Sequence, residues 1–185
     1  MPAYDRLTLA TQRLLLRPLG DPDAPALLSI FSDPRVTRYM SNLPWDSIDE
    51  AHKMIAADRK AMTAGDHFRL GVERIEDQAL VGMCTLFSFN WQCRRAEIGY
   101  GLAANAWGHG YMDEALRALL VYGFVDLGLN RIEADVDPRN APSARSLERL
   151  GFKREGLLRE RWIVGEEVSD TAFYGLLRSE WDAGH

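Results

Sequence analysis

Two glycines separated by one residue stand where a strand-like run of the sequence gives way to a helix-like run. Residues 96–102 alternate as a half-buried strand does, and residues 116–124 carry leucines at helical spacing. The segment between them contains Gly108 and Gly110. Glycine allows the backbone to approach a ligand closely, and the first N–H groups of a helix have no partner within it. The segment therefore predicts a strand–loop–helix unit whose helix start is open to an anion.

The other hydrophobic patterns place this unit within an alternating series of strands and helices. Ser47 and Glu50 have the spacing of a capping box at one helix start, and Asn140 precedes another helix. Because no linker, repeat or low-complexity segment divides the series, we expect residues 1–185 to form a single domain of the mixed α/β (α+β) class. The predicted elements are strand 13–17, helices 23–31 and 47–63, strands 68–72, 79–89 and 96–102, a helix after residue 111, strand 131–136, helix 142–150, and strands 152–164 and 167–177.

Composition narrows the partners that this chain can have. Its net charge is -5 at pH 7, and a nucleic-acid backbone needs a basic face, so we expect no nucleic-acid partner. No apolar run approaches the roughly 18 residues that span a bilayer, and the N-terminus lacks a signal-peptide pattern. Cys84 and Cys93 are too few for a disulfide framework, and the histidines show no metal-ligand spacing. We expect a cytoplasmic protein with no membrane or metal partner.

Three kinds of phosphorylated ligand compete for the glycine segment. A dinucleotide-binding loop needs a third glycine, and Asp113 stands at that position. A nucleoside-triphosphate loop ends in Gly-Lys-Ser or Gly-Lys-Thr, whereas Tyr111 and Met112 follow the glycines here. The pyrophosphate of coenzyme A is the third ligand, and it needs only a short loop at a helix start. The glycine pattern therefore disfavours the first two ligands and leaves a short anion loop, such as one for coenzyme A, open.

The residues around the glycines also resemble a known family. The series Trp-Gly-x-Gly-Tyr-x-x-Glu-Ala begins at Trp107, and Ile-Gly-Tyr-x-Leu begins at Ile98. Together they resemble the acetyl-CoA loop of the GNAT N-acetyltransferase superfamily, in particular its ribosomal-protein-alanine (RimJ/RimL-type) branch. This resemblance implies the GNAT acyl-CoA N-acyltransferase fold, a twisted mixed β-sheet with helices on both faces. It extends over nearly the whole chain, through segments 11–18, 33–40, 130–143, 150–156 and 174–181.

In that fold the strands that carry Glu97 and Arg131 splay apart, and acetyl-CoA fills the gap as the cosubstrate. The pyrophosphate then lies on the backbone N–H groups of residues 108–112, and the first of the two strands pairs with the pantetheine arm. We expect Asp113 to point outward, because its carboxylate repels a pyrophosphate. The resemblance implies acetyl-CoA contacts at Ile98, Gly99, Tyr100, Leu102, Trp107, Gly108, His109, Gly110, Tyr111, Met112, Asn140, Ser143 and Arg145.

The chemistry that the resemblance implies is direct attack of a primary amine on the thioester, without a covalent enzyme intermediate. The backbone N–H near Tyr100 is the candidate donor to the developing oxyanion. Many family members use a tyrosine at the position of Leu147 to protonate the leaving thiolate, so Ser143 is the candidate here. Glu97 is the candidate general base, acting through water.

Each of these roles has a structural alternative. Ser143 and Asn140 equally suit the capping of a helix start. Glu97 equally suits an ion pair with Arg94 or Arg95 on the strand face. The sequence leaves these alternatives open.

The identity of the acceptor amine is also open. An α-amino group, with a pKa of about 8, loses its proton far more readily than lysine, with a pKa of about 10.4. The N-terminal α-amino group of a ribosomal protein is one candidate, and a small-molecule amine is another. A non-catalytic acyl-CoA-binding sensor is a third alternative, and both a monomer and a homodimer fit the sequence. Candidates for the acceptor mouth, which equally suit the core, are Tyr39, Met40, Trp45, Phe87, Phe89 and Trp91.

Overall fold

The structure is built around one sheet of eight strands. The computed structural model describes residues 7–184. The strands are β1 (Leu9–Ala10), β2 (Leu14–Arg17), β3 (Phe68–Arg74), β4 (Ala79–Asn90), β5 (Arg95–Leu102), β6 (Arg131–Val136), β7 (Lys153–Val164) and β8 (Glu167–Leu177). The helices are α1 (Ala24–Phe31), α2 (Pro34–Thr37), α3 (Ile48–Ala64), α4 (Tyr111–Val121), α5 (Ala141–Arg149) and α6 (Arg178–Gly184). The strands lie in the order β1-β2-β3-β4-β5-β6-β8-β7.

The order of the longer elements agrees with the sequence prediction, and the mixed α/β class is confirmed. The short elements β1, α2 and α6 were not predicted, because two to seven residues are too few for a hydrophobic period to show. The last of them is nevertheless anchored in the core. Trp181 of α6 is 6% exposed and packs against Phe124 with ring centroids 6.0 Å apart.

The strands β5 and β6 are parallel to each other, and they separate along their length. They pair only from Arg95 and Arg131 to Glu97 and Glu133. Beyond Glu97, β5 continues to Leu102 beside β4, and no strand among the described residues pairs with its other edge. Backbone N–H and C=O groups on that edge therefore face a gap. The predicted splay is confirmed, and it makes β5 one wall of a site.

Helices cover both faces of the sheet, and strand alternation decides which side chains meet which helix. α4 places Leu116 and Leu119 in a core that Cys84 and Leu86 of β4 also enter. Met83 of β4 turns to the opposite face, where it packs against a second cluster built from α1 and α3. The residues of β5 alternate in the same way, so its two faces meet different surroundings.

Two helix starts near the site are capped, although one cap differs from the prediction. The Ser47 side chain accepts a hydrogen bond from the Asp49 N–H at 3.2 Å, and no described bond joins the Glu50 side chain to Ser47. The capping box was therefore wrong, and Glu50 lines a cavity instead. Asn140 Oδ1 accepts a hydrogen bond from the Ser143 N–H at 3.3 Å, which confirms the predicted N-cap of α5.

Candidate active site

The glycine segment forms the junction before α4 that the sequence predicts. Gly108 and Gly110 have φ angles of 80° and 76°, in the left-handed region that favours glycine, and α4 begins at Tyr111. The described part of the chain offers no hydrogen-bond acceptor to the backbone N–H groups of residues 108–112. These groups and the positive end of the α4 dipole are therefore available to an anion.

Side chains of the glycine segment stabilise the loop itself. Tyr111 and Met112 are buried and belong to the core beneath α4. The Trp107 indole donates a hydrogen bond to the Leu102 carbonyl at 2.8 Å, which ties the end of β5 to the loop. His109 stacks on Tyr111 with ring centroids 5.5 Å apart. The large residues of the segment are thus explained by packing, and the backbone N–H groups remain as the candidate donors to an anion.

A contact from the N-terminal strand region holds this loop, and sequence reasoning missed it. Glu114 in the first turn of α4 accepts hydrogen bonds from Thr11 Oγ1 at 2.6 Å and from Arg13 Nε at 2.7 Å. Arg13 Nη1 also donates to the His109 carbonyl at 2.9 Å. Burial acts to raise the pKa of Glu114, but the bonds from Thr11 and Arg13 outweigh it and lower that pKa. In the sequence, only the match of segment 11–18 to the family pattern pointed to this region. That match did not indicate that Arg13 would bind Glu114.

Asp113, which we expect to point outward, has two arginine partners that the sequence did not indicate. Its carboxylate lies 3.0 Å from Arg117 Nε and 3.7 Å from Arg149 Nε, and its side chain is 26% exposed. The two guanidinium groups offset the negative charge that the sequence places beside the anion site. Arg145, which the resemblance assigned to acetyl-CoA, is exposed and has no ion pair among the described residues.

On the α4 side of β5, the structure brings two predicted catalytic residues together. Tyr100 Oη lies 2.7 Å from Ser143 Oγ, across 43 residues of sequence. Burial raises the pKa of Tyr100 to about 12, and the hydrogen bond with Ser143 opposes that rise. The phenol is therefore protonated near neutral pH and can donate to Ser143 Oγ. The sequence had pointed only to the backbone N–H of Tyr100, so the contact of its hydroxyl is new.

On the opposite face of β5, Glu97 is half-buried where the two parallel strands part. Burial raises the pKa of its carboxyl, and the nearby carboxylate of Asp135 raises it further. Neither neighbouring arginine forms a described ion pair with Glu97, because Arg95 binds Glu133 instead. The described residues thus give Glu97 no strand-face ion pair, and its raised pKa is compatible with the predicted role of general base.

Asp135 is a candidate residue that sequence reasoning missed. It follows Glu133 by two residues on β6, and Glu133 is the registered neighbour of Glu97, so all three side chains share one face of the sheet. Burial raises the pKa of Asp135, and Arg161, 3.7 Å away, opposes that rise. The strand register that brings Asp135 to the splay is a tertiary property, and no local pattern in the sequence marks it.

Of the side chains considered for the acceptor mouth, some line a cavity and others belong to core packing. Met40 and Trp45 line a cavity of about 360 Å³ between the helices α1 to α3 and the sheet. Phe89 stacks on Trp91 with ring centroids 4.6 Å apart, and it meets Phe68 edge-on. Phe89 therefore belongs to core packing at the end of β4, whereas Met40 and Trp45 border open space.

Three findings bear on other kinds of site. Among residues 7–184 there is no group of three or more His, Cys, Asp or Glu side chains that could hold a metal ion. No helix in the same range is both long and apolar enough to cross a membrane. Cys84 is buried, and burial raises the pKa of its thiol to about 12, so it is a poor nucleophile.

The gap between β5 and β6 is thus bordered by three kinds of group. Free N–H groups at the start of α4 lie at one end, the hydroxyl pair lies on one face of β5, and the carboxylates lie on the other. A thioester along the free edge of β5 would have a hydroxyl donor on one face and a proton acceptor on the opposite face. The arrangement suits acyl transfer from coenzyme A to an amine.

Comparison with known proteins agrees with this chemistry. A family model described as an acetyltransferase (GNAT) domain matches residues 13–153. The uncharacterized N-acetyltransferase p20 of Bacillus licheniformis is 38% identical over 174 residues, which cover 94% of this chain and 98% of that protein. The ribosomal protein uS5-alanine N-acetyltransferase of Escherichia coli is 24% identical over 188 residues, which cover 97% of this chain and 95% of that protein.

Solved structures lead to the same family. Mycobacterium smegmatis RimJ in complex with CoA-disulfide superposes with a TM-score of 0.87 at 26% identity, covering 97% of this chain and 91% of that one. Its ligand agrees with the coenzyme A site inferred from the splay and the glycine loop. The family match spans most of the chain, and the relatives cover nearly all of it. This chain therefore belongs to the GNAT family and is an acetyl-CoA-dependent N-acetyltransferase.

Proposed function

We propose that the acceptor is an N-terminal α-amino group of a protein or peptide, the class of acceptor that the RimJ/RimL-type branch uses. The similarity to the Escherichia coli enzyme that acts on ribosomal protein uS5 supports this proposal. An α-amino group has a pKa of about 7.7 to 8.0, so it needs only a weak base to become nucleophilic near neutral pH. Half-buried carboxylates with raised pKa values, such as Glu97, are bases of that strength.

In the proposed reaction the amine nitrogen attacks the thioester carbonyl carbon, and the C–S bond of the tetrahedral intermediate then breaks. The amine proton passes to Glu97 through water, and the backbone N–H near Tyr100 stabilises the oxyanion. Ser143 donates its hydroxyl hydrogen toward the departing sulfur. Tyr100 donates in turn to Ser143 Oγ, which orients the serine hydrogen away from the tyrosine and toward the thiolate.

The contact of 2.7 Å between Tyr100 Oη and Ser143 Oγ is the observation that carries the proposed catalytic mechanism. A module that only binds acyl-CoA needs the glycine loop and the splay, but it does not need a second hydroxyl behind Ser143. The Asn140 side chain completes the same end of the site, because it caps the Ser143 N–H at 3.3 Å. Capping and catalysis are compatible roles here, since the cap uses the backbone of Ser143 and leaves its hydroxyl to Tyr100.

The test is release of free coenzyme A from acetyl-CoA in the presence of a panel of amines. The panel contains short peptides with free N-termini, the same peptides with acetylated N-termini, and small amines such as amino-acid analogues and polyamines. We expect turnover with free peptides and none with blocked ones. Mass spectrometry of the product locates the acetyl group on the α-nitrogen. Turnover confined to small amines would favour the alternative small-molecule acceptor, and tight acetyl-CoA binding without any turnover would favour a sensor.

A further inference from the structure

A cavity of about 360 Å³ lies on the face of the sheet that carries Glu97, and none of the roles above uses it. Its volume is within the range of about 300 to 1,000 Å³ that small-molecule sites occupy. We call it the Met83 cavity after the β4 residue in its wall. Apolar side chains make up most of its lining, namely Phe31, Met40, Leu43, Trp45, Met54 and Met83.

The Met83 cavity lies directly against the strand that borders the splay. Met83 is the registered neighbour of Gly101 on β5. A Cβ atom at Gly101 would lie 2.6 Å from Met40 Cε and 3.2 Å from Phe31 Cε1, so glycine lets both side chains touch the strand. Gly101 follows Tyr100, and successive residues of a strand are about 3.3 Å apart. A group in this cavity is therefore close to an amine that attacks beside Tyr100.

The charges around the cavity do not select a cationic occupant. Lys53 and Arg69 are basic and Glu50 is acidic, so the lining has no net negative charge that would attract a second ammonium group of the acceptor. Arg69 is held by the buried Asp58, whose Oδ1 lies 2.7 Å from Arg69 Nη1. That carboxylate is therefore committed within the protein. Glu50 is the one acidic residue in the lining, and Lys53 lies one helical turn from it, on the same side of α3.

Two polar atoms in the wall have no hydrogen-bond partner among the described residues. They are Glu50 Oε2, an acceptor, and Arg69 Nε, a donor. An unmatched donor together with an unmatched acceptor suits a neutral group that can do both, such as an amide. The remaining lining is methionine, aromatic ring and leucine, which suits an aliphatic or aromatic side chain.

We propose that the Met83 cavity binds the uncharged, apolar side chain of the residue that bears the acceptor amine, with a peptide amide next to it. The acceptor would then be a peptide whose first residue is apolar and larger than alanine, and a polyamine would be a poor substrate. This inference rests on the proposed function, because it names the substrate class of the same site.

The experiment measures kcat/KM for three tripeptide amides that differ only in the first residue, which is norleucine, glycine or arginine. Norleucine and arginine have unbranched side chains that begin alike, and the guanidinium of arginine cannot be acetylated under these conditions. We expect norleucine to exceed glycine by at least tenfold, and arginine to fall below norleucine by at least as much. Equal values for norleucine and glycine, or a preference for arginine, would overturn the inference. No turnover with any of the three would instead count against the proposed peptide acceptor.

Two variants locate the preference in the cavity. In Met83→Trp the larger side chain fills the space, so the ratio of norleucine to glycine should fall to about one. Leu43→Glu places a carboxylate at a rim position that is 62% exposed, so it should fold normally and raise arginine relative to norleucine. Ile75→Trp, on an exposed site outside the cavity lining, is the matched control and should keep the wild-type ratios. Unchanged ratios in both cavity variants would overturn the inference even if the wild-type preference is found.

Discussion

The two faces of β5 differ in the way they are built. On the α4 face, Tyr100 reaches Ser143, and both lie beside a core of leucines. On the other face, Glu97 is followed by Gly99 and Gly101, whose missing side chains let Met40 and other residues approach the strand. The first face is a fixed hydrogen-bonded arrangement, whereas the second combines carboxylates with a cavity.

This difference assigns departure of the thiolate to one face of β5 and binding and deprotonation of the acceptor amine to the other. A leaving thiolate always has the same structure, so a rigid hydroxyl pair can serve it for every acceptor. An acceptor varies between enzymes, and a cavity lined by methionine and aromatic side chains can be adapted by single substitutions. We therefore expect variants on the α4 face to alter kcat for all acceptors, and variants on the Glu97 face to alter pH dependence and acceptor choice.

The largest effect is expected for Ser143→Ala. Loss of the hydroxyl removes the donor to the thiolate, so kcat should fall by about 100-fold, the lower end of what a general acid contributes. The KM for acetyl-CoA should change little, because the loop at residues 108–112 is untouched. Steady-state kinetics with both substrates varied measures the two constants separately. Ser146→Ala on the same helix is the control, since the bonds of its hydroxyl to the described residues all run to neighbours within α5. An unchanged kcat in Ser143→Ala would remove this residue from the mechanism.

Glu97→Gln should come next, with a loss below about 100-fold in kcat/KM, because an α-amino group with a pKa of about 8 needs little help from a base. Both Glu97 and the amine must be deprotonated, so log kcat/KM should rise with a slope of about 2 at low pH and about 1 between the raised pKa of Glu97 and the pKa of the amine, above which it levels off. The variant has one titration fewer, and its slope should be about 1 over the whole range below the pKa of the amine. The pH–rate profile of both proteins is the measurement.

Asp135→Asn tests whether the change of slope in the pH–rate profile comes from Glu97. The carboxylate of Asp135 raises the pKa of Glu97, so its removal should lower that pKa and move the change of slope to lower pH. A profile that stays in place would assign the titration to a different group. The hydroxyl groups on the α4 face do not contribute to this change of slope, because burial raises the pKa of Tyr100 to about 12.

Tyr100→Phe should have a smaller effect of about tenfold on kcat. It removes one hydrogen bond to Ser143 Oγ, and such a bond contributes about 0.5 to 1.5 kcal/mol. The same variant in a Ser143→Ala background should cost almost nothing further, because the phenol acts through the serine. A double-mutant cycle in kcat measures this coupling. Additive losses would mean that Tyr100 acts independently of Ser143.

The smallest effect is expected at the anion loop, from Gly110→Ala. An alanine at φ 76° costs about 1 kcal/mol or more, which should raise the Kd of acetyl-CoA about fivefold as the loop relaxes. Titration calorimetry with acetyl-CoA gives this constant directly. Gly156→Ala on β7 is the matched control, because a Cβ atom there would meet nothing within 4 Å and its φ is ordinary. Equal losses in the two variants would show that the φ of Gly110 is unimportant.

Local patterns in the sequence predicted the longer elements well, because periodicity and capping depend on neighbouring residues. The strand Arg131–Val136 matches the predicted range, and Asn140 caps α5 as expected. Glu50 shows where local reasoning fails. Its spacing from Ser47 suits a capping box, but the cavity provides another environment for its side chain. The partners of Asp113 could not be predicted locally either, because Arg149 arrives from a different helix.

The family resemblance supplied the splay and the cosubstrate, which the element order alone did not contain. It carried over the residues of known motifs, and it had no means of indicating contacts outside them. Arg13 and Glu114 are of this kind, since a bond across 101 residues depends on the packing of β2 against α4. The Met83 cavity is another, because its walls come from helices and strands that no single motif contains.

The sequence by itself determined the glycine-containing helix start, which is open to an anion, and the order of the longer strands and helices. The positive φ angles that glycine allows and the hydrophobic period of a strand or helix are local properties. They depend on neighbouring residues and not on how the elements pack together. Only the tertiary structure decided that Tyr100 meets Ser143, that Asp135 lies near Glu97, and that Gly101 borders a cavity. These depend on strand register and helix packing, where a shift of one residue turns a side chain to the opposite face.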